Sequence, residues 1–327
     1  MRGRFWILAC LCLGMAALLG VALGPVGFSP GAIWAALAGH GDATTVTIVQ
    51  AIRLPRVALA ALVGAALGMS GAAMQGTLRN GLAEPYLLGV SGGAAVGAVA
   101  AITLHWNTVV GVPLAAFAGA AGAAALVLTI ARIAGGRADV RLLLMAGVVV
   151  GAFANAAIMV AYATAPPESV RGALWWMMGS VDGAEWQRVT WLAAYVVIGG
   201  GALIVWARDL DALALGDDGA AALGVDVERA SRRAYLAAAL LAASTVAAAG
   251  LVGFVGLVVP HMVRAAGLRQ YRGLLCGAAI VGAALVISAD IVARTIHPPA
   301  ELPLGAVTAL LGVPFFLFQL RRLAARS

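Results

Sequence analysis

Few side chains in this sequence have a type and spacing that could carry out chemistry. The three Cys lie in apolar runs, and no two of the four His, at positions 40, 105, 261 and 297, share a turn of helix. Zinc and similar metals need His, Cys or carboxylate ligands at short, regular spacings. The sequence therefore predicts no metal site and no bound cofactor.

One four-residue pattern could belong to a catalyst. Residues 89–92 read Gly-Val-Ser-Gly, which fits the Gly-x-Ser-Gly pattern of intramembrane serine proteases. Ser91 would be the nucleophile, and His105 or His261 would have to act as its base. A four-residue match is weak in a chain with 42 Gly, so this enzyme class is kept only as a remote alternative.

All 21 basic residues are Arg, and the sequence contains no Lys. Without an amine there can be no phosphate-loop lysine, no Schiff base and no Ser–Lys dyad. If ATP drives this protein, another subunit must hydrolyse it. The net charge of +7 indicates membrane orientation rather than nucleic-acid binding, because Arg at cytoplasmic helix ends sets the direction of insertion.

The composition predicts the elements that hold these residues. Of the 327 residues, 63% are hydrophobic and 11% are charged, and the mean hydropathy is +0.99. Soluble domains contain about 45–50% apolar and about 25% charged residues. The sequence therefore predicts an all-α, multi-pass membrane protein in which residues 1–327 form a single transmembrane domain.

About ten transmembrane helices are predicted. They are 5–24, 57–78, 86–104, 109–131, 142–163, 189–207, a broken pair within 234–260, 273–292 and 305–320. Breaking 234–260 at its Gly-rich second half places 16 Arg inside and 5 outside, whereas a single crossing gives 11 and 10. The positive-inside rule therefore favours the broken helix, with both termini in the cytoplasm.

Ionisable groups within the spans are scarce. Glu84 and Asp290 are the only acids near or within them, and both are expected at helix ends. Proton- or sodium-coupled carriers usually need a relay of ionisable groups across the membrane. The sequence therefore disfavours a secondary transporter, the third class considered.

Two polar features outside the spans could bind partners. Arg53, Arg56 and Arg294 are among the few outside Arg. They either anchor the membrane interface or pair with carboxylates of an acidic extracytoplasmic partner. On the cytoplasmic side, the loop 209–233 contains an Ala-rich helical turn flanked by leucines. It is either a solvated loop or, as we favour, a short helix that docks on a cytoplasmic partner.

Several motifs, in order along nearly the whole chain, resemble permeases of the iron-chelate and vitamin B12 import family. They are residues 53–56, 71–75, 79–85, 88–92, 253–264, 290–294, 299–305 and 312–315. The resemblance implies a ten-helix subunit that works as a homodimer in the bacterial inner membrane. Two cytoplasmic ATP-binding-cassette subunits would bind below, a periplasmic binding protein would dock above, and the path would follow the dimer axis.

The resemblance also assigns roles to particular residues. Arg53, Arg56 and Arg294 would pair with the binding protein. Asn80 and Leu82 would lie near the cytoplasmic gate, in a turn loosened by Gly81, where the family usually has Pro. ATPase coupling would fall on Leu213, Leu215, Gly216, Leu223, Gly224 and Val225.

The predicted cargo is a large metal chelate. Heme is the first choice, from the similarity of residues 175–186 and 224–229 to heme permeases, and ferric siderophore and vitamin B12 are the alternatives. Apolar walls containing Met69, Met74 and Met159 are expected to bind the cargo weakly and so to release it.

Overall fold

In the computed structural model the protein is described at residues 2–106, 110–135 and 140–324, with the backbone alone at 2, 87–88, 135, 140–141 and 318–324. These ranges contain helices and no strand, which confirms the all-α prediction. The α-helices are α1 Arg2–Ala22, α2 Pro30–Leu37, α3 Ala43–Thr47, α4 Leu54–Thr77, α5 Val90–Thr103, α6 Gly111–Gly135, α7 Val140–Thr164, α8 Pro167–Met177, α9 Trp186–Tyr195, α10 Gly201–Val205, α11 Ala207–Leu213, α12 Asp217–Ala222, α13 Val227–Ala249, α14 Val255–Ala265, α15 Tyr271–Thr295 and α16 Leu304–Ala324.

Six helical stretches in the described ranges are long and apolar enough to cross a membrane. They are Gly3–Ala22, Ala43–Thr77, Gly111–Ala134, Leu142–Thr164, Trp186–Val205 and Tyr271–Thr295. The first and fifth of these correspond to α1 and to α9 with α10, and π-helical turns join α3 to α4 and α9 to α10. Shorter apolar helices are α5, α14 and the first part of α16. The multi-pass prediction is confirmed, whereas the count of ten stays a prediction.

Both ends of the described chain lie at one end of the helix bundle. Phe5 of α1 and Val263 of α14 lie beside Gly277, near the start of α15. The ring of Phe316, on the last helix, is 6.1 Å from the ring of His261. We call this the inner end and the opposite one the outer end. The excess of Arg at the inner end assigns it to the cytoplasm.

The predicted broken helix is confirmed. Helix α13 ends at Ala249 and α14 begins at Val255, and between them Gly250 and Phe254 have positive φ angles of 67° and 66°. Helix α14 has 11 residues and so is about 16 Å long, roughly half the thickness of a bilayer core. The break therefore falls within the bundle rather than at its surface.

The broken backbone finds hydrogen-bond partners in other segments of the chain. A carboxylate oxygen of Glu84 accepts a bond from the Phe254 amide at 2.8 Å, and the Tyr86 hydroxyl accepts one from the Val252 amide at 3.4 Å. The Ser180 amide donates to the last carbonyl of α13 at 2.8 Å. Lipid offers no such partners, so non-helical backbone at membrane depth must be buried in protein.

Helix α4 contacts its neighbours backbone to backbone. A Cβ atom at Gly64 would lie 2.0 Å from the Gly282 carbonyl oxygen of α15, and one at Gly71 would lie 1.9 Å from the Gly256 oxygen of α14. Small residues allow helices in lipid to approach this closely. The Gly spacing in α4 thus fixes the centre of the bundle.

We expect Gly64→Ala to destabilise the protein by roughly 1–3 kcal/mol or more, because the added methyl overlaps backbone that has no rotamer to escape into. Gly122→Ala is the matched control, since a Cβ at Gly122 meets nothing within 4 Å. Thermal unfolding in detergent should show a lowered melting temperature for Gly64→Ala alone. Equal melting temperatures would contradict the close approach of α4 and α15.

Candidate functional site

Arg56, in the first turn of α4, is the centre of a charged cluster at the outer end. Its Nε donates to both carboxylate oxygens of Asp290 at 3.0 and 3.2 Å. One terminal nitrogen donates to Asp290 at 2.8 Å and Glu301 at 2.7 Å, and the other to Asp182 at 3.1 Å and Glu301 at 2.8 Å. A guanidinium has five N–H donors. These contacts engage every one of its nitrogens with carboxylates.

Arg294 lies one helical turn after Asp290 on α15. Its Nε is 3.3 Å from Asp290 Oδ2, and a terminal nitrogen donates to the Gly20 carbonyl at 2.7 Å. The Asp290 side chain, 2% exposed, thus lies between two buried guanidinium groups. A buried carboxylate in this position offsets positive charge that lipid could not solvate.

Arg53 is buried separately, at the end of α1. One terminal nitrogen donates to the Val21 and Ala22 carbonyls at 2.8 and 2.9 Å, and the other to the Val26 carbonyl. The guanidinium also lies 4.9 Å from the centre of the Phe28 ring. A cation is favourable here, because the last carbonyls of a helix carry partial negative charge.

The three outer Arg predicted to pair with a partner protein are therefore all buried and bonded within the chain. The exposed charges of the cluster are instead carboxylates, since the Asp182 side chain is 65% exposed and that of Glu301 is 32% exposed. Docking through these Arg stays a prediction. For Arg56, docking requires that a partner carboxylate replace Asp182 or Glu301, two residues that the sequence did not single out.

The predicted gate residues form a bonded turn at the inner end. The side chain of Asn80 accepts from the Leu82 amide at 2.9 Å, and the Asn80 carbonyl accepts from the Ala83 amide at 3.0 Å. A ring nitrogen of His261 lies 2.8 Å from the Gly81 carbonyl. The turn is thus held at three points despite the Gly. Leu82 is exposed, and its gate role stays a prediction.

The predicted coupling segment contains α12, a helix of six residues. Positive φ angles of 101° at Gly216 and 78° at Gly224 turn the chain sharply on either side of it. Leu215 and Leu223 are 69% and 63% exposed, whereas Leu213 is 2% exposed and packs in the core. Val225 is half-buried and donates through its amide to the Ala220 carbonyl at 3.0 Å. An apolar surface flanking α12 is thus available to a partner, and Leu213 supports it from within.

Ion pairs and hydrogen bonds connect this segment to the spans. Arg79, just after α4, pairs with Asp217 of α12 at 3.0 Å. Asp211 of α11 accepts from the Tyr271 amide, at the start of α15, at 2.9 Å. A displacement of α11 and α12 would therefore pull on α4 and α15, the two helices that meet at Gly64.

Within the described residues, neither His105 nor His261 is hydrogen-bonded to Ser91, the nucleophile of the protease alternative. The Ser91 hydroxyl donates to the Tyr86 carbonyl at 3.0 Å, and His261 is engaged by Gly81. Ser91 lies in the first turn of α5 and His105 follows the far end of that helix, so the two are separated by roughly 20 Å of helix. No group of His, Cys, Asp and Glu that could hold a metal ion occurs in the described ranges.

The predicted apolar walls are corrected in part. Met69 and Met74 are 4% and 0% exposed, because they pack inside the bundle against other helices of the chain. They line no open path in this structure. Met159, on α7, is 73% exposed.

A helical bundle with a buried broken helix, a charged cluster paired within the chain at the outer end and an exposed short helix at the inner end is typical of a membrane permease. The chain belongs to the FecCD transport family, whose model matches residues 11–322. This confirms the resemblance seen in the sequence.

Curated relatives and solved structures agree with the family. The chain is 44% identical to the cobalamin import system permease protein BtuC of Halobacterium salinarum, over 87% of this chain and 76% of the relative. It is 39% identical to the hemin transport system permease protein HmuU of Yersinia pestis, over 83% and 82%. It is 38% identical to the vitamin B12 import system permease protein BtuC of Salmonella paratyphi A, over 99% and 97%.

The fold is similar to that of a putative metal-chelate type ABC transporter in an inward-facing conformation. The TM-score is 0.87 and the identity 25%, over 98% of this chain and 99% of the other. A weaker likeness links the fold to PsaBC from Streptococcus pneumoniae, with a TM-score of 0.58 and 13% identity over 84% and 92% of the two chains.

We expect Asp290→Asn to destabilise the protein by about 3–5 kcal/mol, because it leaves two buried guanidinium groups short of negative charge. Asp218→Asn, at an exposed position on α12, should change stability by no more than about 0.5 kcal/mol. Chemical or thermal unfolding of both variants in the same detergent makes the comparison. If Asp290→Asn had the same unfolding stability as the wild type, the charged cluster would not be required to stabilise the fold.

Proposed function

We propose that this chain is the permease subunit of an ATP-driven importer for a large metal chelate in the bacterial inner membrane. The observation that carries the proposal is the family match over residues 11–322, together with a fold shared over nearly the full chain with a metal-chelate type transporter. The subunit itself performs no catalysis. It supplies the path, and the energy enters from elsewhere.

We propose that two ATP-binding-cassette subunits bind at the inner end. The lack of Lys in this chain argues for a separate ATPase. Leu215 and Leu223 offer an exposed apolar pair to a groove on such a partner. The Arg79–Asp217 pair would carry its movement into α4, and the turn at Asn80 and Leu82 would open or close as the gate.

At the outer end we propose that a periplasmic binding protein docks over the cluster around Arg56. Carboxylates on its surface would take the places of Asp182 and Glu301, while Asp290 stays bonded below. An exchange of one carboxylate for another keeps the buried guanidinium satisfied throughout. Arg53 and Arg294 would hold the surrounding helix ends in place.

A homodimer would complete the path. Helix α7 exposes large apolar side chains at Val148, Phe153 and Val160, and α16 does so at Leu310 and Leu317. Two copies joined along these faces would enclose a channel on the dimer axis. Alternating access would follow from rocking of the two halves.

For the cargo we propose a tetrapyrrole metal chelate. Heme, the choice made from the sequence, is supported by the similarity to the hemin permease protein. Cobalamin is supported by the similarity to the two permease proteins named for cobalamin and vitamin B12. The higher identity of the Halobacterium relative and the fuller coverage of the Salmonella relative make cobalamin a second candidate of equal standing. A ferric siderophore is the remaining alternative.

The cargo class is tested by competition. The permease would be reconstituted with its ATPase and binding protein, and uptake of labelled cobalamin, heme and a ferric siderophore would each be measured, alone and in competition with the other two unlabelled compounds. We expect a tetrapyrrole to be taken up and to resist competition by the siderophore. Uptake of the siderophore alone would overturn the tetrapyrrole assignment while leaving the permease intact.

The coupling surface is tested by Leu223→Asp. A charge placed in an apolar contact should weaken ATPase binding at least about tenfold, since a central interface residue contributes about 2 kcal/mol or more. Leu104→Asp, at a leucine of the outer end that is 78% exposed, is the control and should leave ATPase co-purification unchanged. If Leu223→Asp bound the ATPase normally, this surface would not be part of the interface.

A further inference from the structure

A groove runs down the side of the bundle between α6 and α9. On α6 its wall includes Pro113, Leu114 and Phe117, and on α9 it includes Arg188, Trp191 and Tyr195. These positions recur at helical spacing, so each set forms one stripe that faces the other. The volume is about 260 Å³, and the rings of Phe117 and Tyr195, 5.3 Å apart, meet at its inner end.

A larger and more polar cavity of about 560 Å³ continues from the top of this groove toward the outer end. The two spaces share Pro113, Arg188, Ala247 and Ala248 as walls. The upper cavity adds Glu168, Ser169 and Asp182 among its polar groups. Polarity therefore changes between the two adjoining spaces, from the charged upper cavity at the outer end to the apolar groove below it.

Arg188 lies at the junction of the two spaces. It is half-buried, and within the described residues its side chain makes no hydrogen bond or ion pair. The side chains of Glu168 in the upper cavity and Glu185 in the groove wall are equally without such partners there. Burying even part of the Arg188 charge is costly unless a counter-charge is present, whereas the exposed Glu168 and Glu185 are free to bind a cation. A ligand that supplies an anion beside a cation would satisfy all three groups.

The position of this space at the membrane interface favours a lipid as the ligand. Trp175 and Trp191 are 61% and 64% exposed, as expected for aromatic side chains at a membrane interface. The apolar stripe from position 110 to 117 is about 10 Å long, enough for the upper part of an acyl chain. The faces proposed to contact a second copy are on α7 and α16, so this groove is left facing lipid.

We propose that this space binds one outer-leaflet phospholipid with an amine-bearing head group. Its phosphate binds Arg188, its ammonium group lies beside Glu168 and Glu185, and one acyl chain lies between α6 and α9. A purely anionic head group is disfavoured because the carboxylates outnumber the Arg. A choline head group is disfavoured because its quaternary ammonium has no N–H to donate. The site requires a chain that spans a membrane and a dimer interface that leaves α6 and α9 uncovered, and in this one respect it rests on the proposed function.

The test is native mass spectrometry of the full chain, incubated in detergent with phosphatidylethanolamine, phosphatidylglycerol or phosphatidylcholine of identical acyl chains. We expect phosphatidylethanolamine to be retained best, and Arg188→Gln to lower its retention about tenfold, the loss of a charge-assisted hydrogen bond. Arg171→Gln, an exposed Arg at the same end and outside both linings, should retain it normally. Equal retention of the three lipids by the wild type would show that lipid binding is non-specific and would overturn the proposal.

Two further variants separate head group from chain. Joint replacement Glu168→Gln and Glu185→Gln should abolish the preference for phosphatidylethanolamine over phosphatidylglycerol, and an unchanged preference would contradict the amine contact. Leu114→Trp fills the groove without changing a charge and should lower retention of all three lipids. Unchanged retention by Leu114→Trp, or a co-purified polypeptide that excludes lipid, would overturn the groove as an acyl-chain site. Melting temperatures without added lipid check that each variant is folded.

Discussion

A polar group within the hydrocarbon core of a membrane must find its partner in the protein, because lipid offers none. This constraint explains the least regular part of the chain. The break between α13 and α14 is possible only because Glu84, Tyr86 and Ser180 bond its amides and carbonyl. The same constraint fixes the outer cluster, where Asp182, Asp290 and Glu301 together occupy the nitrogens of Arg56. Both arrangements draw together segments that are far apart in sequence.

A bundle built in this way is suited to be a path rather than a motor. Its fully buried charged side chains lie near the outer end and are bonded within the chain, and no described span carries a series of ionisable groups through which protons or sodium ions could drive transport. The backbone contacts at Gly64 and Gly71 leave α4 little room to deform, so we expect a force applied at the inner end to move α4 together with α14 and α15. The short helix α12, tied to α4 through Arg79 and Asp217, is the place where such a force could enter.

Much of the fold was predictable because it depends on patterns that are local in sequence. The apolar runs predicted the spans, and the Gly-rich stretch with the distribution of Arg predicted the broken helix. The exposed Leu215 and Leu223 followed from an Ala-rich turn between two glycines. No local feature sets the phase of that turn, so the sequence did not separate Leu213, which lies in the core, from Leu215 and Leu223, which are exposed. The partners of Arg56 were also missed, since Asp182 and Glu301 lie 126 and 245 residues away and no local pattern indicates such pairs.

The central claim is that this chain moves nothing uphill by itself. Proteoliposomes containing the purified chain alone would be compared with proteoliposomes that also contain the ATPase subunits and the binding protein, with labelled cobalamin and heme as cargo and with imposed proton and sodium gradients. The account predicts accumulation only in the complete system and only with ATP. Accumulation by the chain alone, driven by either ion gradient, would contradict it.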